Sequence, residues 1–143
     1  MNKLGIYIHI PFCERRCKYC DFTSSIFNQD RMKDYVENLL LEIKNNKELL
    51  KNYTVDTIFI GGGTPSLLSA SEITRLVNGL NEAINLDENY EFTIETNPNS
   101  ISEEKLIAYK NLGINRISIG VQSFNDRLLR IIGRLHTCDE ARE

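Results

Sequence analysis

The sequence has no tryptophan, two histidines and three prolines, and no run approaches the ~18 apolar residues of a membrane-spanning helix. An excess of basic charge is also missing. Lys and Arg number 17 against 20 Asp and Glu, a net charge of -3, which argues against nonspecific nucleic-acid binding, since that requires a concentrated basic face. Internal repeats and low-complexity tracts are missing, so solenoid and fibrous architectures are not expected. The opening Met1-Asn-Lys-Leu-Gly5 has no apolar stretch of signal-peptide length. A cytoplasmic location is therefore expected, where thiols stay reduced. What remains is 143 residues, 41% hydrophobic and 26% charged, an ordinary globular chain of about one domain with enough apolar material for a core.

Of the four cysteines, Cys13, Cys17 and Cys20 form the pattern Cys-x-x-x-Cys-x-x-Cys directly after the strand-like run Gly5–Ile10. Three thiolates on one short loop can hold three irons of a four-iron cluster and leave the fourth iron open to a ligand. A structural zinc module is the competing reading, but it takes four ligands. Only Cys138, His9 and His136 remain to supply one. A disulfide framework calls for an even, dispersed set, and Cys138 reads as an incidental thiol. The basic residues Arg15, Arg16 and Lys18 among the cysteines read either as a solvated loop or as compensation for a negatively charged cluster.

Along the chain, strand and helix signals alternate. Met32, Tyr35, Val36, Leu39, Leu40 and Ile43, spaced by three and four, predict one apolar face of a long helix from Arg31 to Leu50. Val55–Ile60 reads as a buried strand that ends at Gly61-Gly-Gly-Thr-Pro65. A capping box at Ser69 and Glu72 then opens a helix carrying Ile73, Leu76, Val77 and Leu80. Glu91–Thr96 forms a third strand, closed by Asn97-Pro98. A second capping box, Ser100 with Glu103, opens a helix ending near Leu112-Gly113. A fourth strand, Arg116–Val121, precedes a helix capped by Asn125 or Asp126 and carrying Leu128, Leu129 and Ile132. Strands alternating with helices in this way imply parallel pairing through right-handed crossovers.

In such α/β folds ligands gather at the carboxyl ends of the strands. The cysteine loop, the glycine run, Glu95 with Asn97, and Gln122 with Ser123 all fall there. The glycine run matches neither phosphate-binding fingerprint, and reads either as a tight turn or as backbone opened to a ligand. Glu95, Gln122 and Arg134 read as site residues by position, or as ordinary surface partners, and Asn97-Pro98 as a strand stop.

Taken together, Tyr7-Ile-His-Ile-Pro-Phe-Cys13 with Cys17 and Tyr19-Cys20, Gly61–Pro65, Glu95-Thr-Asn-Pro98, and Arg116–Phe124 followed by Arg134 and His136 resemble the radical S-adenosylmethionine superfamily. More narrowly, they resemble its oxygen-independent coproporphyrinogen III oxidase-like branch. The resemblance implies a partial (β/α)6 barrel of about four parallel strands with intervening helices. Residues 1–143 are then expected to be the N-terminal part of a radical S-adenosylmethionine core, the later strands and a C-terminal domain being missing.

It also implies a [4Fe-4S] cluster on Cys13, Cys17 and Cys20, with S-adenosylmethionine chelated to the open iron. Tyr7 and Tyr19 would pack near that cofactor, Gly62, Gly63 and Thr64 would contact its methionyl portion, and Glu95, Gln122 and Arg134 would hold its polar groups. The true coproporphyrinogen dehydrogenases of the branch carry a fourth cysteine where this chain has Phe22. Cys20-Asp-Phe22 is instead similar to the heme chaperone group. That likeness implies heme or porphyrin as ligand, an electron donor such as flavodoxin or ferredoxin, and hemoprotein clients. A fragment of this kind is expected to form an open sheet with an unpaired edge at its fourth strand, to self-associate or be partly disordered, and to be inactive.

Overall fold

The computed structural model describes residues 2–143. β1 (Asn2–Ile10) leads into a two-residue strand β2 (Phe12–Cys13), the cysteine loop, and a second short strand β3 (Ser25–Ile26). α1 (Gln29–Asn45) and the short α2 (Lys47–Leu50) precede β4 (Tyr53–Gly62), a 3-10 turn at Pro65–Leu67 and α3 (Ala70–Asn81). β5 (Asn85–Thr96) is followed by a 3-10 turn at Pro98–Ser100, α4 (Glu103–Asn111), β6 (Arg116–Ile119) and α5 (Asp126–Ile132).

The main sheet has the order β1-β4-β5-β6, and every pair is parallel. The four parallel strands are those the alternating pattern predicts, and the sheet is open, as the resemblance to part of a barrel implies. Register places His9 opposite Gly61 and Glu95 opposite Ser118. Because strand side chains alternate between faces, Ile8, Ile10, Ile58, Ile60, Phe92 and Ile94 point to one side. There they join Met32, Val36, Ile73, Leu76, Val77, Leu80 and Tyr109 from the helices in a single buried core. Each such side chain contributes about 1.5–3 kcal/mol by leaving water. The opposite parity carries Tyr7, His9, Phe59, Gly61 and Glu95, and that polar face supports the site.

Several boundaries differ from those expected. The long helix breaks at Asn46, whose side-chain amide and backbone N–H bond back to the last turn of α1, so Leu50 belongs to a separate turn. β5 starts six residues early because Asn85 and Leu86 pair with Thr54 and Val55 before an irregularity, and Glu91 resumes the ladder. The capping box at Ser69 and Glu72 forms as predicted, with both reciprocal bonds present. Ser100 does not cap α4. Ser102 does, accepting from the Lys105 N–H, while Ser100 is buried and bonds to Ser66 and Asn97. β6 stops at Ile119 rather than Val121 and forms one edge of the sheet, where Ile119 is half exposed. Among the described residues no helix is long and apolar enough to cross a membrane.

Candidate functional site

The carboxyl ends of β4, β5 and β6 and the cysteine loop after β2 surround a cavity of about 300 Å³, within the range of small-molecule sites. Cys13, Cys17 and Cys20 line it together with Tyr19, and all four cysteines of the chain are free thiols. Gly62, Gly63 and Thr64 form a second wall, and Glu95, Gln122 and Arg134 complete the boundary. Among the sequence-predicted site residues, Tyr7 alone does not line this cavity. It lies on the same sheet face, stacked at 6.1 Å on Phe59 and bonded to His9 Nδ1 at 2.9 Å. Burial raises the Tyr7 pKa, and the Glu95 charge adds to that shift.

The cysteine loop is pinned from three directions. β2 and β3 pair in parallel at its base, with the Ser25 N–H donating to Pro11 O at 2.7 Å and the Phe27 N–H to Cys13 O at 2.8 Å. His9 Nε2 donates to Thr23 O at 2.9 Å, which ties β1 to the far end of the loop. The tip docks on the end of α5, through the Lys18 N–H to Ile132 O at 3.3 Å and the Cys17 thiol to Gly133 O at 3.9 Å. Among the described residues, no three His, Cys, Asp or Glu side chains gather around a single ion.

The glycine run is a close approach of backbones. Gly62 has φ +118, where L residues rarely sit, and a Cβ there would lie 2.8 Å from the His9 ring. At Gly63 a Cβ would lie 2.5 Å from Phe12 O. Glu95 holds the run in place by accepting the Gly62 N–H at 3.1 Å. Gln122 has φ 66, the one non-glycine in the left-handed region among the described residues, and strain of this kind collects at ligand sites.

Asn97, which the sequence places with Glu95 at the carboxyl end of the third strand but to which it gives no role beyond a strand stop, is a cavity residue. Its Nδ2 donates to Thr64 Oγ1 at 3.1 Å, and its Oδ1 accepts from Arg134 Nη2 at 2.7 Å. Thr64 in turn donates to Cys13 Sγ at 3.7 Å, and Arg134 Nη1 to Cys17 Sγ at 3.8 Å. The two sulfurs therefore receive donors from the turn after β4 and from the segment after α5. Burial raises the Tyr19 pKa, and the Arg134 charge opposes that shift.

His136 sits close behind this wall, 3% exposed, with Nε2 donating to Val121 O at 2.9 Å and Nδ1 buried without a partner. Protonation would place a charge on that unpartnered nitrogen. Burial therefore holds its pKa below the ordinary histidine value; the Val121 carbonyl opposes this and the Arg134 charge adds to it. A depressed histidine pKa means that the unfolded chain binds the extra proton first. Stability is then full above about 6.5 and falls as pH drops toward the folded value. Denaturant titrations between roughly pH 5.5 and 7.5 should show a component of this sign, at most about 1.4 kcal/mol per pH unit, that is missing in His136→Gln. Equal slopes for the two chains would remove His136 as its source.

A helix-backed parallel sheet with a cysteine loop over its carboxyl edge defines an open α/β fold whose strand ends form the cavity. The profile of the radical SAM superfamily matches residues 7–143, and the chain belongs to that superfamily. It is 42% identical over 140 residues to the heme chaperone HemW of Escherichia coli (strain K12), covering 97% of this chain and 37% of that protein. It is likewise 42% identical over 131 residues to the heme chaperone HemW of Bacillus subtilis (strain 168), covering 91% and 35%. The solved coproporphyrinogen III oxidase HemN of Escherichia coli, described as a radical SAM enzyme, superposes with a TM-score of 0.88 at 30% identity, covering 98% of this chain and 32% of that one. The chain thus spans about a third of the length of the relatives it matches.

Proposed function

We propose that this chain binds a [4Fe-4S] cluster through Cys13, Cys17 and Cys20 and S-adenosylmethionine in the adjoining cavity, and that its protein handles heme as a chaperone. The observation that carries the reading is the meeting of the three thiols, the glycine run, Glu95, Gln122 and Arg134 on one cavity. The donor set fits the cluster: one thiolate for each of three irons, with hydrogen-bond donors already aimed at two of the sulfurs. When bound, the cluster supplies one-electron reduction of the cofactor's sulfonium.

The chain's own residues bind and orient. Gly62 and Gly63 bring bare backbone to the methionyl portion, and Thr64 flanks it. Glu95, with one oxygen engaged by the Gly62 N–H, leaves the other for a polar group of the cofactor. Gln122 and Arg134 complete that polar side, Tyr19 backs the adenine, and Tyr7 supports the site from outside the cavity wall through Phe59 and His9.

The heme part of the reading rests on Phe22. It occupies the position of the fourth cysteine of the porphyrin-oxidising branch, lines the cavity and is 69% exposed. Relatives bearing the heme chaperone name support it. An electron donor of flavodoxin or ferredoxin type, hemoprotein clients and a cytoplasmic setting go with this proposal. The likeness to HemN favours the second reading, a radical oxidoreductase acting on coproporphyrinogen III. Incubating the reconstituted protein with coproporphyrinogen III, reductant and S-adenosylmethionine separates them. The chaperone reading expects no vinyl-bearing porphyrin and a saturable absorbance change on adding heme; a vinyl-bearing product would overturn it.

A further inference from the structure

We infer that Asn97 is a positioning residue that fixes the direction of the hydrogen bonds to two of the cysteine sulfurs, and so sets the reduction potential of a cluster held there. The inference rests on the cluster-binding reading above and concerns a residue outside the three ligands.

The direction of the network follows from what each group can do. Arg134 only donates, so the oxygen of the Asn97 amide faces its Nη2, 2.7 Å away. That leaves Asn97 Nδ2 facing Thr64, where it donates to Oγ1 at 3.1 Å. The Thr64 hydroxyl, already accepting from Asn97, turns its own proton toward Cys13 Sγ at 3.7 Å. Arg134, held by Asn97 and by the Gly120 carbonyl, places Nη1 3.8 Å from Cys17 Sγ. One amide therefore orients a donor toward each of two sulfurs that lie on a loop it does not touch directly.

Asn97 is itself firmly placed. Its N–H donates to Ser66 Oγ at 3.2 Å, and its carbonyl accepts the Ser100 N–H and hydroxyl, each at 3.0 Å. Ser66 and Ser100 are bonded to each other. Lys105 Nζ then clamps both turns, donating to Ser66 O at 2.6 Å and Ser100 O at 3.0 Å. This clamp comes from α4, so the amide is oriented by the scaffold and not by the cofactor.

Donors to ligand sulfurs stabilise the more negative, reduced state of a cluster and raise its potential. Asn97→Asp keeps the acceptor for Arg134 but has no N–H, so the Thr64 hydroxyl turns to the carboxylate and Cys13 loses its donor. In the reconstituted chain the ratio of reduced to oxidised cluster at a fixed potential should fall by about tenfold, a shift of 59 mV for one electron. Asn97→Ala should shift it in the same direction.

The effect should shrink in a Thr64→Val background, because Asn97 acts on Cys13 through Thr64. Thermal melting provides the control, since a merely structural role would lower the melting temperature and leave the potential in place. A wild-type chain that takes up no iron would overturn the cluster reading and this inference with it. A wild-type cluster whose potential is unchanged by Asn97→Asp and Asn97→Ala, or shifts that simply add to that of Thr64→Val, would overturn this inference alone.

Discussion

Replacing Cys17 with serine is expected to abolish cluster assembly while leaving the fold intact. After anaerobic reconstitution with iron and sulfide, the wild-type chain should show a broad absorbance at about 400 nm that bleaches on reduction, and the variant should not. Bound iron should fall by more than about tenfold, since losing a ligand exceeds the usual cost of losing an outer-shell partner. The fold survives because Cys17 is only partly buried and its thiol's contacts with Arg134 Nη1, at 3.8 Å, and Gly133 O, at 3.9 Å, are long and weak. Melting temperatures within a few degrees of each other would therefore accompany the loss of iron. A variant that takes up iron like the wild type would remove Cys17 from the ligand set.

The second large effect is expected at Gly63. Its N–H donates to Ile10 O at 2.8 Å, and the next N–H, of Thr64, donates to Phe12 O at 2.7 Å, so the two sides of the residue are bonded to the end of β1 and to β2. An alanine Cβ would lie 2.5 Å from Phe12 O and 2.9 Å from Phe12 C and N. These are backbone atoms and have no rotamer to change. Relief requires β2 to move, and β2 carries Cys13. Gly63→Ala should cost about 2–4 kcal/mol in denaturant unfolding and also impair iron uptake. Gly79→Ala is the control, because its Cβ meets only the tip of Leu40, and its effect should stay within about 1 kcal/mol. Equal costs at the two positions would contradict the tight backbone contact at Gly63.

Much of this was legible in the sequence because the signals are local. The four strands announce themselves by short apolar, β-branched runs. Ser69 and Glu72 predict their own capping box, because both partners lie within one turn. The cysteine spacing and the glycine run mark the site before any fold is known. Asn97 was not legible in this way. Beside Pro98 it reads as a strand stop, and its partners Thr64 and Arg134 lie 33 and 37 residues away.

The contact between Arg134 and Cys17 spans 117 residues, a distance over which spacing carries no information. Ser100 and Ser102 are both acceptable caps, and only Ser66, brought alongside by the sheet, decides that Ser100 turns inward. Tyr7 illustrates the opposite case. Alternation puts its side chain on the polar face of β1 as the motif suggests, but Phe59 and His9 hold it outside the cavity wall.

The central claim is that the cysteine loop holds a four-iron cluster whose open iron faces the cavity. Electron paramagnetic resonance of the reconstituted, reduced chain, with and without S-adenosylmethionine, tests it most directly. A reduced-cluster signal whose shape changes on adding the cofactor, and which Glu95→Ala makes unresponsive to it, is the result this account predicts. A spectrum indifferent to the cofactor, or a chain carrying one tightly bound zinc and no iron, would contradict it.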